Sequence, residues 1–118
     1  AVTPVQLALA DFMSAQPGYP GTLAAFYQRK RDLFCNALQG SRFTITPSAG
    51  TYFQLLDYSA ITRSPDRQLA VDWTHQHGIA SIPISVFYEE PFEQHYLRFC
   101  FAKTDEVLLQ AAERLCKI

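Results

Sequence analysis

The sequence predicts an α+β domain, in which helices pack on a small sheet that is mixed or mainly antiparallel. Apolar residues recur at helical spacing in four longer stretches and at alternate positions in four shorter ones, which gives the element order ααββαββα. The chain has 118 residues, of which 48% are hydrophobic. That length and composition suffice for one hydrophobic core and are too short for two ordinary domains.

Two helices open the chain. The first spans residues 3–14, with Thr3 as N-cap and Pro4 in its first turn, and is apolar almost all round. A domain this small can hardly surround such a helix, so we expect it to pack against sequence outside this chain. Proline and glycine in residues 16–21 indicate a break. A second helix, residues 22–38, follows and ends near Gly40; its inward stripe is Leu23, Phe26, Leu33, Phe34, Ala37 and Leu38.

A hairpin and a third helix follow. Phe43 and Ile45 alternate with polar residues in a short strand, and residues 47–50 turn the chain into a second strand, residues 51–57. The third helix begins after Ser64, its expected cap, and ends at Gly78. Residues 79–82 then predict a strand that Pro83 stops or places at the sheet edge. A surface turn is expected at residues 89–91.

The last strand, residues 96–102, carries the most informative side chain. Its alternation places Leu97, Phe99 and Phe101 on one face and Arg98 on the other. A final helix begins at Thr104, with acidic residues in its first turn. An unpaired guanidinium would be costly, so Arg98 requires an anion. On residue type alone a structural ion pair is the commoner solution, and a substrate carboxylate is the alternative.

Other residues leave their roles open at this point. Asp57 ends a strand and either pairs with Arg98 or caps the following loop. Gly50 is a position where the backbone can approach a ligand closely, or simply a turn glycine. Phe53 and Phe87 line a pocket or belong to the core.

Composition argues against several classes of function. Ten basic and eleven acidic residues give a net charge of −1, which offers no electrostatic footprint for nucleic acid. No apolar run has the length of a membrane span. Three cysteines without CxxC spacing indicate reduced thiols and a cytoplasmic protein. His75 and His77 point to nearly opposite sides of a helix, so no metal site is expected.

Three ordered motifs resemble one known family. They are residues 47–55 (PSAGTYFQL), residues 78–88 (GIASIPISVFY) and residues 95–106 (HYLRFCFAKTDE), preceded by the opening TPVQLA helix. The sequence resembles the C-terminal, small domain of class I/II, fold-type I aminotransferases that depend on pyridoxal 5'-phosphate. The similarity is greatest to the methionine and kynurenine aminotransferase branch, and it covers nearly the whole chain.

The resemblance implies roles for particular residues. Arg98 would bind the α-carboxylate of an amino-acid or 2-oxo-acid substrate, and Phe53, with Gly50, would complete the substrate-binding site. No catalytic, cofactor-binding or metal-binding residue is expected in this chain. The family's cofactor lysine lies in an upstream large domain, and none of Lys30, Lys103 and Lys117 matches its motif.

The resemblance also implies a domain division. Residues 1–20 would lead from the missing large domain, and residues 21–118 would form the small domain. Pyridoxal 5'-phosphate would bind the full-length enzyme, expected to be a cytoplasmic homodimer, and the chain alone would be inactive. It would then be a fragment, a separately produced domain or a proteolysis product.

Two other classes of function are alternatives. One is a stand-alone regulatory α+β module that binds an amino acid. The other is a nucleic-acid module that stacks bases on Tyr96, Phe99 and Phe101.

Overall fold

The computed structural model describes residues 2–90 and 94–118. The elements are α1 (Thr3–Ala15), α2 (Tyr19–Ala37), β1 (Thr44–Ile45), β2 (Phe53–Asp57), α3 (Asp66–His77), β3 (Ile82–Pro83), a 3₁₀ turn (Ile84–Phe87), β4 (Tyr96–Cys100) and α4 (Asp105–Leu115). The predicted order of helices and strands is confirmed. The 3₁₀ turn is an addition that the sequence did not predict, and part of the turn expected at residues 89–91 lies outside the described residues.

The sheet has the strand order β1-β2-β4-β3, and each neighbouring pair is antiparallel. The predicted hairpin of β1 and β2 is present, and β3 with its proline lies at the edge. Arg98 is at the centre of β4, where it is paired with Leu55 on one side and Ile82 on the other. The register therefore places Arg98 in the middle of the sheet.

The hydrophobic core lies on the helix-covered face of the sheet. Leu97, Phe99 and Phe101 are buried, as the alternation of β4 predicts. They pack with residues of β2 and the helices, namely Leu56, Phe34, Leu38, Leu69, Trp73, Leu108, Ala112 and Leu115. Each large apolar side chain buried in this way contributes on the order of 1.5–3 kcal/mol. The opposite face, which carries Arg98, is only half-buried.

The first helix, α1, contributes no residue to this core. Every residue of α1 is exposed, including the large apolar side chains Val5, Leu7, Leu9, Phe12 and Met13. This agrees with the expectation that α1 packs against sequence outside the chain. The predicted cap was wrong, because Thr3 is already helical and Val2 is the N-cap, without a side-chain hydrogen bond.

Three helix predictions need correction. α2 begins at Tyr19, since Pro20 is well tolerated in a first turn. Phe26 is exposed rather than inward, whereas Lys30 is buried. The N-cap of α3 is Pro65; the Ser64 hydroxyl lies 3.0 Å from that of Thr62 instead of capping the helix.

Three strand boundaries also differ from the prediction, one of them the end of β4, which is Cys100 rather than residue 102. β2 begins at Phe53 because Thr51 has φ 64°, which interrupts extended backbone. Only Ile82 of residues 79–82 pairs with β4, since Ile79 follows directly on the helix-ending Gly78 and turns into the core. Gly78, with φ 64°, ends α3 as predicted. Thr104 caps α4 as predicted, with its hydroxyl accepting from the Val107 amide.

Candidate functional site

Arg98 lies between two phenylalanine rings on the half-buried face of the sheet. Its guanidinium carbon is 4.1 Å from the ring centroid of Phe53 and 4.7 Å from that of Phe87. Phe53 comes from β2, where it pairs with Cys100, and Phe87 comes from the end of the 3₁₀ turn. Cation–π attraction of this kind is worth about 0.5–2 kcal/mol for each ring. The two rings restrain the guanidinium without accepting conventional hydrogen bonds from it.

No anion in the described part of the chain satisfies Arg98. Its Nε atom is buried without a hydrogen-bond partner, and no ion pair to Arg98 is present within residues 2–90 and 94–118. Asp57, the partner that the sequence left open, instead accepts a hydrogen bond of 2.8 Å from the Ser59 amide. Asp57 therefore caps its loop. Because a partly buried guanidinium is costly without an acceptor, the geometry suits an incoming anion.

Gly50 lies in the connection between β1 and β2, three residues before Phe53. It is exposed, and a Cβ atom added there would meet nothing within 4 Å. The structure thus brings Arg98 and Phe53 into contact, and it places Gly50 in the segment that leads to Phe53.

A buried glutamine that the sequence analysis missed fixes this connection. Gln54 is 0% exposed; its amide oxygen accepts from the Ser48 backbone N–H at 3.1 Å, and its Nε2 donates to the Thr46 carbonyl at 2.8 Å. Arg31 donates to the Ser48 carbonyl at 2.8 Å. These bonds hold a segment that contains Thr51, whose positive φ is strained for a β-branched residue. A polar residue at an inward position of β2 was the sequence signal for this role.

The 3₁₀ turn is held by a second missed residue. Asp66, the first residue of α3, is buried and accepts two hydrogen bonds from Ser85, within the turn that ends in Phe87. Nothing in the local sequence pairs these two residues.

The three lysines of the chain have different surroundings. Lys30 is buried, and its Nζ donates to the Lys103 carbonyl at 2.6 Å and to Asp105 at 3.0 Å. Lys117 pairs with Glu113 one helical turn away, and the exposed Lys103 follows β4. Lys30 and Lys117 are therefore engaged in ion pairs.

The buried Lys30 belongs to an ion-pair cluster that joins α2 to the start of α4. Asp105 receives hydrogen bonds from Arg29 at 2.9 Å and from Lys30 at 3.0 Å. These hydrogen bonds lower the pKa of the Asp105 carboxyl to about 2. The bond from Arg29 has the larger effect, and the bond from Lys30 comes next.

A mostly apolar cavity of about 370 Å³ lies beside Arg98, between residues 78–82, β4 and α4. Its polar lining includes Ser81, Arg98 and Lys103, and its other walls come from α4 and residues 78–82. The Ser81 hydroxyl is buried without a partner. The cavity also touches the core residues Phe34, Phe99 and Leu108. Phe53 and Phe87 do not line it, so it is distinct from the ring contacts of Arg98.

The structure also bears on nucleic-acid binding, metal binding and membrane spanning. Phe99 and Phe101 are 5% and 1% exposed, so they cannot form the stacking platform of a nucleic-acid module. Within residues 2–90 and 94–118, no group of histidine, cysteine and carboxylate side chains is arranged for a metal ion. In the same residues, no helix has both the length and the apolar character that a bilayer span requires.

Comparison with known proteins shows the family to which the chain belongs. The family model for class I and II aminotransferases matches residues 2–115. The chain therefore belongs to the class I and II aminotransferase family. This confirms the resemblance drawn from the three motifs.

Two relatives show how similar the chain is to particular aminotransferases. Methionine aminotransferase of Escherichia coli K12 is 50% identical over 113 residues, which are 96% of this chain and 29% of the relative. Human kynurenine–oxoglutarate transaminase 1 is 37% identical over 100 residues, which are 73% of this chain and 24% of the relative. The chain thus spans less than a third of the length of these relatives.

Solved structures agree with the fold. YbdL from Escherichia coli, described with a methionine aminotransferase function, superposes with a TM-score of 0.91 at 48% identity, covering 98% of this chain and 31% of that one. N-Succinyldiaminopimelate aminotransferase from Mycobacterium tuberculosis gives a TM-score of 0.84 at 28% identity, covering 97% and 30%. The α+β fold of helices on a small antiparallel sheet is therefore that of fold-type I aminotransferases.

Proposed function

We propose that this chain is the small domain of an amino-acid aminotransferase and that Arg98 anchors the α-carboxylate of the substrate. The observation that carries the proposal is a guanidinium held between Phe53 and Phe87 with no anion among the described residues. A carboxylate accepts two parallel hydrogen bonds from the edge of an arginine, a geometry that lysine cannot reproduce. Phe53 and Phe87 lie within 5 Å of the guanidinium carbon, and the Nε atom of Arg98 has no hydrogen-bond partner, which leaves donors of the guanidinium available to a ligand.

The same arrangement supports discrimination by the carboxylate. An amine without a carboxylate would leave the guanidinium of Arg98 unpaired in a closed site. The free-energy cost of that unpaired charge would weaken binding of the amine relative to an amino acid. Phe53 would line the pocket for the substrate side chain, and Gly50 would let the backbone approach the substrate. Methionine or kynurenine-like amino acids, exchanged with a 2-oxo acid, are the substrates that the relatives' names support, and aromatic amino acids are part of the same proposal.

Family members use pyridoxal 5'-phosphate, and in this proposal the cofactor binds the full-length enzyme through its large domain. In this proposal residues 1–20 lead from a large domain and residues 21–118 form the small domain. The exposed apolar surface of α1 supports this division, because it would be covered there. Cytoplasmic location, a homodimeric enzyme and the inactivity of this chain alone are parts of the same proposal.

Kinetics of the complete enzyme test the role of Arg98. Arg98→Ala should raise KM for amino acids by roughly 10- to 100-fold, the effect of losing a charged hydrogen-bond pair. Arg98→Lys should recover only part of the loss, because it keeps the charge without the paired donors. Arg63→Ala, at an exposed arginine, is the control. An unchanged KM in Arg98→Ala would overturn the assignment.

A further inference from the structure

Asp66 is a buried carboxylate without an ion pair among the described residues. It is 6% exposed. One oxygen, Oδ2, accepts from the Ser85 backbone N–H at 2.7 Å, and the other, Oδ1, accepts from the Ser85 hydroxyl at 2.7 Å. Both short bonds go to one residue that is 19 positions away along the chain. They join the start of α3 to the 3₁₀ turn.

Besides its two hydrogen bonds, the charge of Asp66 is compensated by the positive end of the α3 dipole, because Asp66 is the first residue of that helix. The neighbouring Arg67 directs its Nε to the Ser85 hydroxyl at 3.3 Å rather than forming an ion pair with Asp66. Burying a carboxylate costs free energy, and its hydrogen bonds compensate for that cost without a clear net gain. The burial of Asp66 is therefore no argument that this residue stabilises the fold. Two bonds from one residue do, however, define the position and orientation of the turn closely.

The 3₁₀ turn carries one of the two rings that restrain Arg98. Phe87 follows Ser85 by two residues, and its ring centroid lies 4.7 Å from the guanidinium carbon. Phe87 is 58% exposed, so packing holds it only partly. A four-residue 3₁₀ turn has poor intrinsic hydrogen-bond geometry. The position of the ring therefore depends on how the turn is anchored.

We infer that Asp66 is a positioning residue that, through Ser85, holds Phe87 against Arg98. The inference rests on the proposed role of Arg98 in carboxylate binding. With Phe87 in place, the guanidinium keeps both of its ring contacts. Without the anchor, the turn moves, the contact with Phe87 is lost, and Arg98 samples other orientations before substrate arrives. Loss of preorganisation of this kind weakens binding of every substrate that carries the carboxylate.

The test uses the complete, cofactor-loaded enzyme with Asp66→Ala, Asp66→Asn and the control Asp72→Asn. Asp72 is on the same helix and bonds only to Gln68 in a surface pair. Asp66→Ala should raise KM for the amino acid and Ki for 3-phenylpropionate by about 5- to 20-fold, with kcat within about 2-fold. Asp66→Asn keeps one acceptor and should lie between wild type and Asp66→Ala. Unchanged KM and Ki in Asp66→Ala would overturn the inference.

A double-mutant cycle with Phe87→Leu separates positioning from general destabilisation. If Asp66 acts through Phe87, Asp66→Ala should change Ki for 3-phenylpropionate by less than about 2-fold in the Phe87→Leu background. The same factor in both backgrounds would contradict the inference. Should Asp66→Ala fail to fold, Asp66→Asn and Ser85→Ala enter the same cycle, since the first replaces two charge-assisted hydrogen bonds by neutral ones and the second removes the hydroxyl bond.

Failure of the inference is distinguishable from failure of the proposed function. If Arg98→Ala raises KM and the Asp66 variants do not, only the positioning role is wrong. If Arg98→Ala leaves KM unchanged, carboxylate anchoring is wrong and the inference falls with it.

Discussion

The guanidinium carbon of Arg98 lies 4.1 Å from the ring centroid of Phe53, and the two residues come from adjacent, antiparallel strands. The contact is diagonal, because the direct partner of Phe53 is Cys100 and that of Arg98 is Leu55. Alternating side chains on paired strands bring such diagonal neighbours within reach of one another. The sheet itself thus sets the separation between the proposed carboxylate anchor and the proposed side-chain pocket.

Replacing the ring of Phe53 should weaken binding without abolishing catalysis. In the complete enzyme, Phe53→Leu should raise KM by about 3- to 30-fold, because one cation–π contact and part of the pocket wall are lost. Steady-state kinetics with methionine and phenylalanine check this, with Val71→Ala, at an exposed apolar residue of α3, as the control. Equal kinetics for Phe53→Leu and wild type would exclude Phe53 from the site.

Removing the side-chain amide of Gln54 should loosen the segment that precedes Phe53. Gln54→Leu leaves the Ser48 N–H and the Thr46 carbonyl without their partner, each costing about 1–3 kcal/mol if it stays buried. Hydrogen–deuterium exchange of residues 46–52 should therefore become faster in the complete enzyme. Gln110→Leu, at an exposed position of α4, is the matched control. Identical exchange in Gln54→Leu and wild type would show that other contacts fix the segment.

The ion pairs of Asp105 should stabilise the protein in a defined range of pH. The pKa of Asp105 falls from 3.8 to about 2 on folding, so its contribution is fully present above pH 3.8 and is lost as pH falls through 2. The difference in Tm between wild type and Asp105→Asn should therefore be constant from pH 7 to 5 and shrink between pH 4 and 2. Asp11→Asn, on the exposed α1, is the control. A difference that grows on acidification would contradict this sign.

Local patterns predicted the parts of the fold that local rules govern. Alternation correctly predicted that Arg98 and Phe99 lie on different faces of β4, and the glycine at position 78 correctly predicted the end of α3. Both predictions succeed because each depends only on residues adjacent in the sequence. Lys30 was missed because its partner Asp105 is 75 positions away, and Asp66 because Ser85 is 19 positions away. A hydrogen-bond pair between distant residues leaves no periodic signal in the sequence.

The sequence named several residues of the candidate site and left their roles open. The strand pattern identified Arg98 as a charge that needs an anion. Gly50, Phe53 and Phe87 were candidates for either a ligand site or a structural role, and the family resemblance assigned roles to Phe53 and Gly50. The structure brings Phe87 against Arg98 and adds the anchor of its turn, since these depend on how α3 lies against the sheet.

Ligand binding to the complete enzyme tests the central claim most directly. Two probes of matched shape, 3-phenylpropionate and 3-phenylpropan-1-ol, differ in the carboxylate alone. We predict that wild type binds the acid at least about 10-fold more tightly than the alcohol, and that Arg98→Ala binds both equally, as expected for loss of a charged hydrogen-bond pair. A preference for the acid that survives in Arg98→Ala would contradict the account.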